Sequence, residues 1–160
     1  MGFFSSLFGT SAPKVYTGRL LTADQVRAAL GCPALTLGKT QYAEMTEEAA
    51  IYLAQQARNA LFPLIGHWQP DASCTLYGGK FKVLANEKFA EQSFQDAIST
   101  QLCAAAAGDV WFTPDGSATG HAIGFVITPS GAKYVDPQAP DALRPMSATE
   151  LASRYFQNLL

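Results

Sequence analysis

One stretch constrains this chain more than any other: residues 119–138, TGHAIGFVITPSGAKYVDPQ. From Gly120 to Thr128 it is apolar on both sides of an extended strand. Ala122, Gly124 and Val126 share one face; Ile123, Phe125 and Ile127 share the other. Such a strand belongs in the middle of a sheet, covered on each side. Pro129, Ser130 and Gly131 supply a turn, and Ala132 to Val135 a second strand that Asp136 and Pro137 close. In an antiparallel pair the outer ends lie side by side. His121 opens the first strand and Asp136 follows the second, 15 residues later, so the hairpin brings them together. A carboxylate beside an imidazole is the orienting half of a nucleophilic triad. What remains to be found is a nucleophile.

The rest of the chain reads as helices first, then this small sheet. Residues 1–16, beginning MGFFSSLFGTSAP, form an apolar, flexible tail, and 17–160 a single domain. Thr17 to Leu21 suits a short strand. Thr22-Ala23-Asp24-Gln25 is a capping box for a helix that Gly31 stops. Leu35 to Tyr42 is irregular or a short strand. Thr46-Glu47-Glu48 opens a longer helix, its acids placed where the helix dipole favours them, running to a stop at Pro63. After a Gly- and Pro-bearing loop from Pro63 to Ser73, a helix is expected from Cys74 to about Leu84 despite Gly78 and Gly79. Two glycines cost a helix about 2 kcal/mol, which is tolerable where another backbone packs close. Asn86 then caps a further helix through Phe89, Phe94, Ile98, Leu102 and Ala106 to Gly108. Asp109 to Thr113 is a strand and Pro114-Asp115-Gly116 a turn. Ser147-Ala148-Thr149-Glu150 is a second capping box, predicting a last helix through Leu151, Tyr155, Phe156 and Leu159. The expected class is α+β: helices, a three-strand antiparallel meander and a C-terminal helix, packed as two layers.

Composition excludes several functions. The chain is 48% hydrophobic and 15% charged, with a net charge of −2 and no basic block. Disorder and nucleic acid as a main partner are both disfavoured. Three cysteines, Cys32, Cys74 and Cys103, form no CxxC pair. Free thiols in a reducing cytoplasm, or in a virion assembled there, fit better than a disulfide framework or zinc knuckle. No apolar run reaches the length of a membrane span, and the N-terminus lacks the basic start of a signal peptide. Gly2 and Ser6 match the short myristoylation pattern. The plainer reading is that the tail docks on a partner or on other copies of the chain.

Only Cys74 has a nucleophile's setting. It follows the loop and starts a helix, where the dipole and the free N–H groups favour a thiolate and can hold an oxyanion. Gln69, five residues earlier, is placed for a second oxyanion hydrogen bond. Cys32, in a Gly-Cys-Pro turn, reads as a structural thiol, and Cys103, in an alanine-rich helical run, as core. His67 beside Trp68 reads as a packed loop histidine, and Trp111 and Phe112 as strand core. Tyr77 and Phe81 read as the buried face of the nucleophile helix. Each triad member also has a plain structural reading: Cys74 as a buried thiol, and His121 and Asp136 as a satisfied polar pair in an apolar strand.

A cysteine on a helix, a histidine on one strand and an acid on the next resembles the papain-like cysteine hydrolase superfamily. The nearest resemblance is to the papain-like domain that follows the lectin domain of a mushroom (Marasmius-type) agglutinin, and to its small bacterial and bacteriophage relatives. Three places carry it: Cys74 with Tyr77 and Phe81 in CTLYGGKF, His121-Ala122 opening a strand, and Asp136-Pro137-Gln138 ending the next. The resemblance implies a cysteine peptidase or amidohydrolase with a Cys74-His121-Asp136 triad and a protein or peptide substrate. The family has Glu where Asp136 stands. Asp is one methylene shorter and orients the imidazole only if the strands sit closer. In that respect the chain is more similar to transglutaminase-like and arylamine acetyltransferase relatives, which have a Cys-His-Asp order. The chemistry requires no cofactor. Calcium enters only through the agglutinin domain, whose acidic residues after the cysteine bind it; Thr75 and Leu76 stand in those places here.

Two alternatives come from the same residues. One is a papain-like fold without chemistry, serving as a structural or adaptor protein, with a bacteriophage virion or tail as its setting. The apolar tail, low charge and double glycine favour it. The other is a cell-wall endopeptidase of the NlpC type. It fits less well, because those enzymes usually carry Asp-Cys-Ser where this chain has Ser73-Cys74-Thr75.

Overall fold

The computed structural model describes residues 12–65, 73–114, 121–139 and 153–157. Its elements run β1 (Tyr16–Thr22), α1 (Ala23–Leu30), β2 (Gln41–Met45), α2 (Glu47–Ile65), α3 (Ser73–Ser93), β3 (Cys103–Ala105), β4 (Ala107–Pro114), β5 (His121–Thr128), β6 (Gly131–Val135) and β7 (Ser153–Gln157). The class is α+β. The hairpin forms as its pattern dictates, with Gly124 opposite Val135 and Thr128 opposite Gly131. Seven of the eight residues of β5 are buried, and the strand lies inside a four-stranded sheet of order β6-β5-β4-β7. The expected three-strand meander is therefore β4-β5-β6, widened by one strand.

A second sheet, of order β1-β2-β3, joins the first. The joint is Ala106. Its N–H donates to the carbonyl of Ala43 at 2.9 Å, and its carbonyl accepts from the N–H of Ile127 at 2.8 Å. One stretch of chain, residues 103–114, thus serves both sheets. Ala105, Ala106 and Ala107 are fully buried; only small side chains fit where the two sheets meet under α3.

The capping box of α1 is present in full: the Thr22 hydroxyl accepts from the N–H of Gln25, and the Gln25 side chain accepts from the N–H of Thr22. Thr46 caps α2 by accepting from the N–H of Ala49 at 3.3 Å. Residues 1–11 of the expected tail lie outside the described residues. The packed chain begins before Tyr16: the Val15 N–H donates to the Gln92 side chain at 2.8 Å, the Gln92 amide donates to the Pro13 carbonyl at 3.0 Å, and the Tyr16 hydroxyl donates to Asp96.

Four expectations are corrected. First, α2 does not stop at Pro63 but continues to Ile65; the missing proline N–H is a loss confined to the last turn. Second, the two helices expected on either side of Leu84 are one, α3. Asn86 is not a cap: its amide donates to the Lys82 carbonyl at 3.2 Å, and its oxygen accepts from the N–H of Ala105 at 3.3 Å. It pins β3 to the helix.

Third, the helix ends at Ser93, and Cys103 lies on β3, paired in parallel with β2, Gln41 opposite Cys103. Alanine's helix preference over residues 104–107 loses to that pairing and to burial. Fourth, the chain over 153–157 is the strand β7 rather than a helix, antiparallel to β4 with Phe112 opposite Phe156. The aromatic run suits a strand, and the unpaired groups along the edge of β4 reward one. The capping box at Ser147 lies outside the described residues. No helix among them is long and apolar enough to cross a membrane.

Candidate active site

The hairpin delivers His121 and Asp136 to one place. Nε2 of His121 and Oδ2 of Asp136 stand 2.6 Å apart, within the range of a strong charge-assisted hydrogen bond. The other carboxylate oxygen, Oδ1, accepts from the backbone N–H of Gln138 at 2.9 Å. The turn at Pro137 folds the chain back so that this amide holds the carboxylate, which in turn holds the imidazole. The shorter aspartate therefore reaches its histidine. The two side chains are 29% and 19% exposed, open enough to be approached and buried enough to strengthen their interaction.

Cys74 sits at the second position of α3, half-buried, in the first turn. Its N–H is among the first four of the helix, which have no acceptor within it. Burial pushes the His121 imidazole down from its ordinary value. A hydrogen bond and the charge of Asp136 push it up, and so do a hydrogen bond and the charge of Cys74; the net direction is up. Cys74, in the first turn of α3, is thus a second group that acts on this imidazole. Two elements distant in sequence, the start of α3 and the open end of the hairpin, converge on one ring.

The helix is held to the sheet along its length. Tyr77 and Phe81 are fully buried, as is Phe89 two turns on. The ring of Phe81 lies on Gly124, where an added Cβ would stand 2.6 Å from it. Sequence reasoning missed that pairing. The available signal was a glycine inside a strand that otherwise carries large apolar side chains, a mark of close approach. Gln69, His67 and Trp68 lie outside the described residues. Trp111 and Phe112 are on β4, as expected of strand residues. Cys103 is buried, and burial raises the pKa of its thiol, which makes it a core residue. Among the described residues no group of three or more His, Cys, Asp or Glu side chains could hold a metal ion.

No protein-family model and no curated protein sequence matches the chain. Among solved structures, one described as the PSL1a–E64 complex is similar, with a TM-score of 0.56 at 18% identity over 84% of this chain and 49% of that one. The chain thus spans about half the length of that neighbour. At this identity the likeness speaks for the fold alone, and the fold is papain-like.

Proposed function

We propose that this protein is a papain-like cysteine hydrolase, a peptidase or amidohydrolase, with Cys74 as nucleophile, His121 as base and Asp136 as orienter. One observation carries the reading: a single imidazole held by a carboxylate at 2.6 Å, whose hold on its proton a thiol in the first turn of α3 also strengthens. Nε2 is engaged by Asp136, so the proton of Cys74 passes to Nδ1. The thiolate then attacks a carbonyl carbon, and the electron pair of the C=O moves onto oxygen. The backbone N–H of Cys74, with Gln69 as second donor, holds that oxyanion. The imidazolium returns its proton to the leaving amine, and water releases the acyl group by the same route in reverse. Kinship with the agglutinin domain and its bacterial and bacteriophage relatives is part of this proposal. No step uses calcium or any other cofactor.

The test is alkylation of the full chain by iodoacetamide, with E64 in parallel, read by mass spectrometry. Cys74 is expected to label faster than free cysteine near neutral pH, and faster than Cys32 or Cys103. His121→Ala should slow it by about 10² to 10⁴-fold. Labelling of Cys74 no faster than free cysteine, or unchanged in His121→Ala, sinks the hydrolase reading.

That result would favour the second reading, a papain-like scaffold or adaptor with a virion as one setting. It has its own observation: Leu64 is 78% and Phe94 87% exposed, large apolar side chains that suit a partner's surface.

A further inference from the structure

The proposed chemistry needs the Cys74 thiol within reach of an imidazole on a different element. Their separation depends on how deeply α3 settles onto β4 and β5. Cys74, Gly78 and Lys82 recur every fourth residue, so they lie on one face of the helix. Each meets the sheet in turn. Cys74, in the first turn, is near enough to His121 to act on its charge. A Cβ at Gly78 would stand 3.1 Å from the Cβ of Asp109, 3.6 Å from that of Ala122 and 3.7 Å from the carbonyl oxygen of Ile123. The Lys82 ammonium stands 3.8 Å from the Asp109 carboxylate. Gly79, the next residue along, faces the other way: a Cβ there would meet nothing within 4 Å. Of two adjacent helix-weakening glycines, one is pressed close to β4 and in ordinary contact with β5, and the other is in the open.

We propose that Gly78 is a positioning residue, whose missing side chain lets α3 approach β4 and β5 closely enough to hold Cys74 against His121. The residue it touches on β5, Ala122, directly follows His121 in the strand, so a change in depth at Gly78 is transmitted one helical turn to the thiol with little slack. The inference rests on the hydrolase reading for its catalytic consequence but not for its geometry. A methyl group at this site presses on Asp109, which must give by a few tenths of an ångström or push α3 away from the sheet. Reacting groups displaced by such amounts lose rate steeply.

Four full-length proteins test it: wild type, Gly78→Ala, Gly79→Ala, and Gly78→Ala combined with Asp109→Gly. Two readouts are taken, the rate of Cys74 alkylation by iodoacetamide across the neutral pH range and the titration of His121 followed by NMR. Gly78→Ala is expected to slow alkylation about tenfold and to move the His121 midpoint down, because the Cys74 contribution weakens. Gly79→Ala should change neither, although both variants improve helix propensity alike. Adding Asp109→Gly removes the 3.1 Å contact and should restore both readouts, even where Gly78→Ala alone folds poorly. Wild-type behaviour of Gly78→Ala in both readouts, equal effects from Gly79→Ala, or no recovery in the double variant would overturn the proposal. Should wild-type Cys74 prove no more reactive than free cysteine, the hydrolase reading falls by itself. The His121 titration then still decides the spacing role, and an unmoved midpoint in Gly78→Ala ends it.

Discussion

At the scale of single residues, the His121–Asp136 contact governs what the site can do. The imidazole is partly buried, which alone would lower its pKa, yet the adjacent carboxylate and thiol raise it. A group whose folded pKa is raised binds its proton more tightly folded than unfolded. Its contribution to stability is complete below the unfolded histidine value of about 6.5 and is lost as pH rises through the higher folded value. Denaturant unfolding across that window should therefore show stability falling with rising pH. Asp136→Asn removes the charge while keeping the shape; it should lower the His121 midpoint and flatten this fall. An unchanged slope in Asp136→Asn would mean that the pair is not the source. His121 and Asp136 were both legible in the sequence, since strand alternation and turn residues place the ends of a hairpin side by side. The hold of the Gln138 amide on Asp136 was not, because it depends on how the chain turns after Pro137.

At the scale of elements, α3 and β5 fit one another through absent side chains. Gly124 receives the Phe81 ring, and a Cβ there would stand 2.6 Å from it. Neither partner has room to yield, since Phe81 is fully buried. Gly124→Ala should thus destabilise the protein by about 1–3 kcal/mol, measured by urea unfolding, and Phe81→Leu in the same chain should recover part of the loss. Equal stability of Gly124→Ala and wild type would show that the ring moves freely. The pattern of apolar residues identified both elements, and the double glycine in α3 was readable as a site of close packing. Which glycine packs was not. That depends on the rotation of the helix against the sheet, and only Gly78 turns out to face it.

At the scale of the whole molecule, the chain is closed by contacts between its beginning and its middle. The Gln92 side chain on α3 accepts from the N–H of Val15 and donates to the carbonyl of Pro13, at sequence separations of 77 and 79. Tyr16 packs edge-on against Phe89 with ring centroids 5.4 Å apart, and its hydroxyl bonds Asp96. Gln92→Ala leaves two backbone groups without their partner and should lower stability by about 1–3 kcal/mol. A change within error would show that water replaces the glutamine at no cost. Other long-range pairings, with β2 and with Ile127, explain the misread alanine run after Ser93. By propensity it is helical. In place it supplies β3 and the joint at Ala106 that bonds both sheets.

The sequence by itself determined the hairpin, its histidine and aspartate, the capped start of α1, the acidic start of α2, and a helix with Cys74 in its first turn. Each of these follows from local rules: strand alternation, turn chemistry, side chains that cap nearby backbone, and the helical period. Tertiary structure alone decided that residues 103–107 extend rather than coil, that residues 153–157 add a strand to the edge of β4, and that α3 runs unbroken through Asn86. It also decided that the start of α3, with Cys74, acts on the imidazole that Asp136 holds. These outcomes depend on partners tens of residues away, whose pairing and burial are worth more than the local preferences they override.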